Sequence, residues 1–247
     1  MAEPLAGRVA IVTGAGGGIG EAIARRFAAE GATVIVTDLE QAAADRIATD
    51  IGGRSFAGDL SDEPTAGRLV AEALDRHGRI DILVNNAGGG ILRPFLDHTP
   101  DTLRATIDRN LWTAVWCSWH ALRAMKPAGY GRIVNVGADS VRNGLMDHAG
   151  YNAAKGGVHA MTTGLAREFA PHGITVNTIA PCIIQTRQVE AVRATNPALI
   201  DECIAIVPLG RAGTEEEVAG MTAYLVGPEG GFVTGQVLSL NGGTTML

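Results

Sequence analysis

Tyr151 and Lys155 stand four residues apart in a stretch that reads as helix, so their side chains share one face, one turn apart. A phenol is too weak an acid to exchange protons near neutral pH unless a cation stabilises its phenolate, and a lysine ammonium in a partly dry crevice does that. The pair is a candidate proton-transfer device, although Tyr-x-x-x-Lys alone is a frequent chance spacing. A second chemistry lies in Thr13-Gly14-Ala15-Gly16-Gly17-Gly18-Ile19-Gly20, ahead of a helix expected from Glu21 to Ala29. Glycines there let the backbone turn sharply and approach a pyrophosphate, whose charge meets the N-terminal amides of the helix. Asp38 closes the next apolar run, eighteen residues past Gly20. A carboxylate there accepts bonds from the adenosine ribose hydroxyls and repels a 2′-phosphate, which favours NAD over NADP. The absence of Arg or Lys at Gly17 and Leu39 points the same way, while capping of the following helix is the alternative use of Asp38.

These residues need a frame. Short Val/Ile-rich runs at Arg8 to Thr13, Thr33 to Asp38, Arg54 to Ala57, Ile80 to Asn85, Arg132 to Val136, Ile174 to Thr178 and Gln236 to Leu240 alternate with amphipathic segments of helical length. Runs apolar on both faces imply a parallel sheet covered on both sides, which is a doubly wound, Rossmann-type α/β fold. Helix stops at Glu30-Gly31, His77-Gly78 and Pro171-His172-Gly173 precede strands as the scheme requires. No linker, charge run or repeat divides the chain, so residues 1–247 are expected to form one domain. The segment from Thr186 to Pro208 interrupts the alternation and is the candidate substrate lid, because long connections at strand carboxyl ends lie over the ligand crevice.

The 247 residues are 46% hydrophobic and 19% charged, enough apolar surface for a real core. A formal charge of −6 with no cluster of Lys and Arg argues against nucleic acid as a partner. The longest apolar segment, Leu111 to Leu122, is too short and too polar for a membrane span, and the N-terminus does not resemble a secretory signal. Cys117, Cys182 and Cys203, three at wide spacing, read as reduced thiols of a cytoplasmic protein rather than a disulfide frame or a zinc site. The histidines show no ligand spacing, so no metal is expected.

Taken together, the motifs resemble those of the short-chain dehydrogenase/reductase family, and the resemblance runs from Gly7 to Gly243. Gly14, Gly18, Ile19 and Gly20 fall in its glycine-rich turn, and Asp59-Leu60 matches the pair whose carboxylate meets the adenine amine. Asn86, Ala87 and Gly88 belong to its Asn-Asn-Ala-Gly signature, Asn110 falls at its catalytic asparagine, and Tyr151 to Lys155 is its Tyr-x-x-x-Lys. Pro181, Ile184 and Thr186 match the segment that holds the nicotinamide carboxamide. The resemblance implies that Tyr151 is the acid or base on the substrate oxygen. It also implies that Lys155 lowers the Tyr151 pKa and binds the nicotinamide ribose, and that Asn110 supports a proton-relaying water. A homotetramer is implied as well, with the Tyr151 helix and the strand near Gln236 to Leu240 as contacts.

Two positions depart from the pattern. Thirteen residues before Tyr151 the family carries a serine, and here stands Ala138, followed by Asp139 and Ser140. Ser140 is the expected substitute hydroxyl, with Asp139, water or the substrate itself as alternatives. Cys182 replaces a glycine after Pro181 and either reshapes the turn or places a thiol beside the nicotinamide pocket. The run from Asp139 to Gly144 resembles catabolic members that oxidise cyclic diols and hydroxy acids during aromatic degradation. Arg93, Arg142 and Arg187 are candidate carboxylate anchors for such a substrate. The other readings are a 3-oxoacyl-thioester reductase, disfavoured by Asp38, and a non-catalytic NAD-binding sensor.

Overall fold

In a computed structural model that describes residues 3–246, the Val/Ile runs become seven strands. These are β1 (Val9–Val12), β2 (Thr33–Asp38), β3 (Arg54–Ala57), β4 (Ile82–Asn85), β5 (Gly131–Val136), β6 (Ile174–Pro181) and β7 (Val237–Leu240). They pair in parallel in the order β3-β2-β1-β4-β5-β6-β7. The order reverses between β1 and β4, and in open α/β sheets ligands bind outside the carboxyl ends of the strands at that reversal. The strand register explains the two-sided burial. Ala10 and Val12 face one core with Ile23 and Phe27, while Val9 and Ile11 face the other with Leu69 and Met125, as the pleat's period of two requires.

Helices α1 (Gly18–Ala29), α2 (Gln41–Ile51) and α3 (Glu63–His77) join the first four strands. Next come α4 (Pro100–Ile107), a π-helical turn at Asp108–Trp112, and α5 (Thr113–Ala128). The short α6 (Ser140–Asn143) and the long α7 (Ala149–Phe169) follow β5. The segment after β6 splits into α8 (Arg187–Thr195) and α9 (Pro197–Ala205), broken where Asn196 caps α9 through Leu199 N and Pro197 opens its first turn. Last comes α10 (Glu215–Val226), whose Thr214 and Glu217 form a reciprocal cap.

The sixth strand runs three residues beyond the sequence expectation. Ile179 and Pro181 accept bonds from Gly137 N and Asp139 N, so the turn after β5 is drawn along the extended strand. Among the described residues no helix is long and apolar enough to cross a membrane.

Candidate active site

The glycine-rich turn leaves β1 at the reversal point and is stapled to the end of β4. Thr13 Oγ1 donates to Val84 O at 3.2 Å and accepts from the backbone N–H groups of Asn86 and Ala87, each at 2.9 Å. The Asn86 amide donates to Thr13 O at 3.0 Å and Gly14 O at 2.9 Å. Two glycines are sterically required here. Gly14 has φ +60° and a Cβ on it would lie 2.8 Å from Ala87 Cα, while a Cβ on Gly20 would lie 2.3 Å from Gly14 O. Gly17 stands at the N-cap of α1 with no side-chain cap, so the opening amides at Gly18, Ile19 and Gly20 have no side chain competing for them. A nicotinamide dinucleotide fits this cradle, its pyrophosphate meeting those amides.

Asp38 takes up its position by accepting from Gly16 N at 3.0 Å and Glu40 N at 3.3 Å. It does not cap α2, whose N-cap is Glu40. Asp59 accepts from the backbone and hydroxyl of Ser61, and Leu60 is buried beneath it. Two basic groups stand near this end. Arg46 donates to Gly16 O at 3.0 Å and pairs with Glu21 at 3.1 Å, and Arg25 pairs with the same carboxylate at 2.9 Å.

The second half of the site is built on α7. Successive turns of that helix place Tyr151, Lys155 and His159 on one face against the end of β5. Lys155 Nζ donates to Val136 O at 2.7 Å and stands 5.8 Å from the centroid of the Tyr151 ring. Burial dominates both groups, pushing the Tyr151 phenol up to about 12 and the Lys155 ammonium down to about 8. The sequence leads one to expect a phenol lowered by its neighbouring cation. In the structure burial alone raises the phenol, and Tyr151 rests neutral.

Asn110 sits in the π-helical turn, a feature that recurs at functional sites. Its side chain donates to Thr106 O at 2.9 Å and Gly89 O at 3.0 Å and accepts from Gly89 N at 3.1 Å. Fully engaged in this way, it fixes the turn against the loop after β4. A Cβ on Gly88 would lie 2.6 Å from Asn110 Oδ1 and 3.4 Å from Lys155 Nζ, so the loop, the π turn and the lysine meet at one point.

Ala138 is buried, and its N–H points at His159 Nε2, 3.4 Å away. His159 was not singled out from the sequence. Burial, then Arg142 and Lys155, hold its pKa down to about 4 against the opposing charge of Asp139, so it accepts as a neutral ring. Ser140 Oγ donates to Asn152 Oδ1 at 2.6 Å, and Asn152 donates back to Ser140 O at 2.9 Å. The structure brings Ser140 onto the residue beside Tyr151 with its proton already used. Asp139 is fully buried and turned away toward the C-terminal segment.

Pro181 ends β6. Ile184 is buried and bridges to Gly213, and Thr186 caps α8 through Val189 N. One expectation is corrected. Arg142 is not available to a substrate carboxylate, because it donates to Ser239 Oγ at 2.6 Å and Val237 O at 2.7 Å. Burial pushes the Cys182 thiol up. Spacing also gave no sign of His98 Nε2 and Asn143 Oδ1, two buried atoms without hydrogen-bond partners on the loops after β4 and β5.

A family model described as Enoyl-(Acyl carrier protein) reductase matches residues 14–245. The chain belongs to the short-chain dehydrogenase/reductase family. It is 52% identical over 252 residues to a 2,3-dihydroxy-2,3-dihydro-p-cumate dehydrogenase of Pseudomonas putida, covering 100% of this chain and 97% of the relative. A galactitol 2-dehydrogenase (L-tagatose-forming) of Cereibacter sphaeroides is 37% identical, covering 98% of this chain and 96% of that one. A 3-oxoacyl-(acyl-carrier-protein) reductase of Vibrio cholerae is also 37% identical, with coverage of 98% and 99%. The crystal structure of gox2181 superposes with a TM-score of 0.92 at 33% identity, covering 98% of both chains. This short-chain dehydrogenase/reductase is therefore an oxidoreductase of CH–OH groups that works with a nicotinamide cofactor.

The cradle gives a direct test. Gly20→Ala places a methyl against Gly14 O and Asn86 Nδ2. It should raise the dissociation constant for NAD, read by fluorescence titration of folded protein, by about tenfold or more. Unchanged affinity would contradict the geometry.

Proposed function

We propose that this enzyme oxidises a cyclic cis-diol with NAD, within aromatic catabolism. The observation that carries the substrate class is 52% identity, over the whole chain, to a protein named for a ring dihydrodiol. Chemistry supports the direction, since dehydrogenating a cyclohexadiene diol gives an enolisable ketone that becomes aromatic. NAD is supported by Asp38, whose carboxylate beside Gly16 N would repel a 2′-phosphate.

In this reading the diol carbon gives up a hydride, the carbinol hydroxyl gives its proton to Tyr151 Oη as Tyr151 passes its own phenolic proton to the relaying water, and a carbonyl remains. The nicotinamide ring, when bound, accepts the hydride. Tyr151 rests as the neutral phenol and Lys155 as an ammonium whose proton burial loosens, and Lys155 holds the Tyr151 face of α7 to β5 through Val136 O. Asn110 keeps the π turn open for a proton-relaying water. Ser140 serves the substrate oxygen as a donor when its hydroxyl proton turns from Asn152 Oδ1 to that oxygen. Gly14, Gly18, Ile19, Gly20, Asp59, Leu60, Asn86, Ala87 and Gly88 make the rest of the cofactor cradle, with Pro181, Ile184 and Thr186 toward the nicotinamide. With Arg142 occupied, Arg93 and Arg187 remain for a ring carboxylate. The segment 186–208 covers the substrate.

We also propose a homotetramer and a cytoplasmic home. Exposed Tyr224, Phe232 and Met246 and the half-buried edge strand β7 support the first, and three free thiols support the second.

A panel of cis-dihydrodiols, hydroxy acids and 3-oxoacyl thioesters, assayed with NAD and NADP, tests the reading. Diols with NAD should give the highest kcat/KM, and Asp38→Ala should narrow the preference for NAD. Preference for NADP and a 3-oxoacyl thioester would overturn it. Tyr151→Phe should lower kcat by roughly 10²–10⁴, and Ser140→Ala by on the order of 10²–10³ if its hydroxyl faces the developing charge. Near-normal turnover in either variant removes that residue from the mechanism.

A further inference from the structure

The Asp139 carboxylate is fully buried in the turn between Ala138 and Ser140, yet it touches none of the groups assigned to proton transfer. It accepts from Ser239 Oγ at 3.1 Å, Asn241 Nδ2 at 3.0 Å, Thr245 Oγ1 at 2.8 Å and Asn143 Nδ2 at 3.4 Å. Three of these four donors lie about a hundred residues along the chain, in the segment that ends it. No cation pairs with the carboxylate among the described residues. The neighbouring Arg142 reaches past it to Ser239 Oγ and Val237 O. A buried carboxylate without a counter-charge is costly unless its hydrogen bonds hold it, and the C-terminal segment supplies most of them.

That segment also holds the cover. Its Gly242 and Gly243 have φ +59° and +95°, a left-handed hook that L side chains resist. Leu209 N donates to Gly242 O at 3.2 Å. A Cβ on Gly242 would lie 2.6 Å from Val207 Cγ1, and one on Gly243 would lie 3.1 Å from Pro208 Cγ. The hook is therefore moulded to the distal end of the cover.

The cover has little else to hold it, since α8 buries no residue and α9 buries Ile200 alone. Its proximal end is fixed where Gln185 N donates to Gly213 O at 2.8 Å and Gly213 N donates to Ile183 O at 3.0 Å. The distal end rests on the C-terminal hook, with Val207 buried there.

We propose that Asp139 is a positioning residue that ties the C-terminal segment to the catalytic turn and so sets the distal hinge of the 186–208 cover. The proposal rests on the reading of that segment as a substrate cover. It assigns the missing link between Ala138, where the family hydroxyl is absent, and the element that closes over the substrate. A shift at the tail moves the hinge and the catalytic turn together.

The test uses the full-length enzyme with Thr245→Ala, Thr245→Ser and Asp139→Asn. Three quantities are read: KM and kcat for a cis-diol, the dissociation constant for NAD, and the rate of tryptic cleavage after Arg187 and Arg193 in α8. Thr245→Ala and Asp139→Asn should raise KM between about twofold and thirtyfold, the range seen when coupling between elements is altered without touching a ligand. Both should speed cleavage in α8 and leave NAD affinity within about twofold, whereas Thr245→Ser should match wild type because its hydroxyl is kept. Unchanged KM and cleavage in Thr245→Ala, or a parallel loss of NAD affinity, would overturn the proposal. If Asp139→Asn fails to fold, the two Thr245 variants decide alone. Absence of diol turnover in the wild type would sink the substrate reading only, because cleavage rates need no substrate and still uphold or overturn the tether.

Discussion

The contact between the Lys155 ammonium and Val136 O is the interaction on which the chemical half of this molecule depends. A lysine taken almost wholly out of water has no carboxylate to answer it, so the sheet must present a carbonyl at the right place. That requirement fixes α7 against the end of β5 and brings the Tyr151 side chain with it. It also explains the neighbouring residues. Gly88 leaves room for Nζ, Asn110 braces the Gly88-Gly89 loop, and the π turn lets Asn110 reach both Thr106 O and that loop.

The cofactor half depends on a different device at the same sheet edge. Thr13 and Asn86 bind the glycine-rich turn to the end of β4, so the two strands flanking the reversal point move as one. The halves meet at the segment Asn86 to Gly89, whose first residue secures the cradle and whose last two face Asn110 and Lys155. A polar ladder stiffens the sheet beneath them. Asn85 donates to Asn135 and Ser118, Asn135 donates to Thr162, and Thr162 joins Thr178, carrying hydrogen bonds across β4, β5 and β6.

The fold was legible because its signals are local. Two-sided apolar runs, glycine stops and helical spacing each lie within a few residues, and their alternation implies a parallel sheet covered on both faces. Tyr151 and Lys155 were legible for the same reason, being one helical turn apart. What escaped is long-range. No spacing rule reveals that Asp139 receives Thr245, that Arg142 is spent on Ser239, or that His159 meets Ala138 N, since each joins elements distant in sequence. Burial of Tyr151 is long-range in the same way, set by the elements packed over α7. The π turn at Asn110 is invisible to periodicity because it widens the helix by a single residue.

The central claim is that burial lowers the Lys155 ammonium well below the ordinary lysine range before any ligand arrives, and the chain is unusually suited to measuring this. It has two lysines, Lys126 and Lys155, and Lys126 is exposed. In ¹³C-lysine-labelled protein without substrate, NMR titration of the Cε signals should show a midpoint lowered to about 8. The lowered signal should vanish in Lys155→Met. A titration with no lowered midpoint would contradict the account.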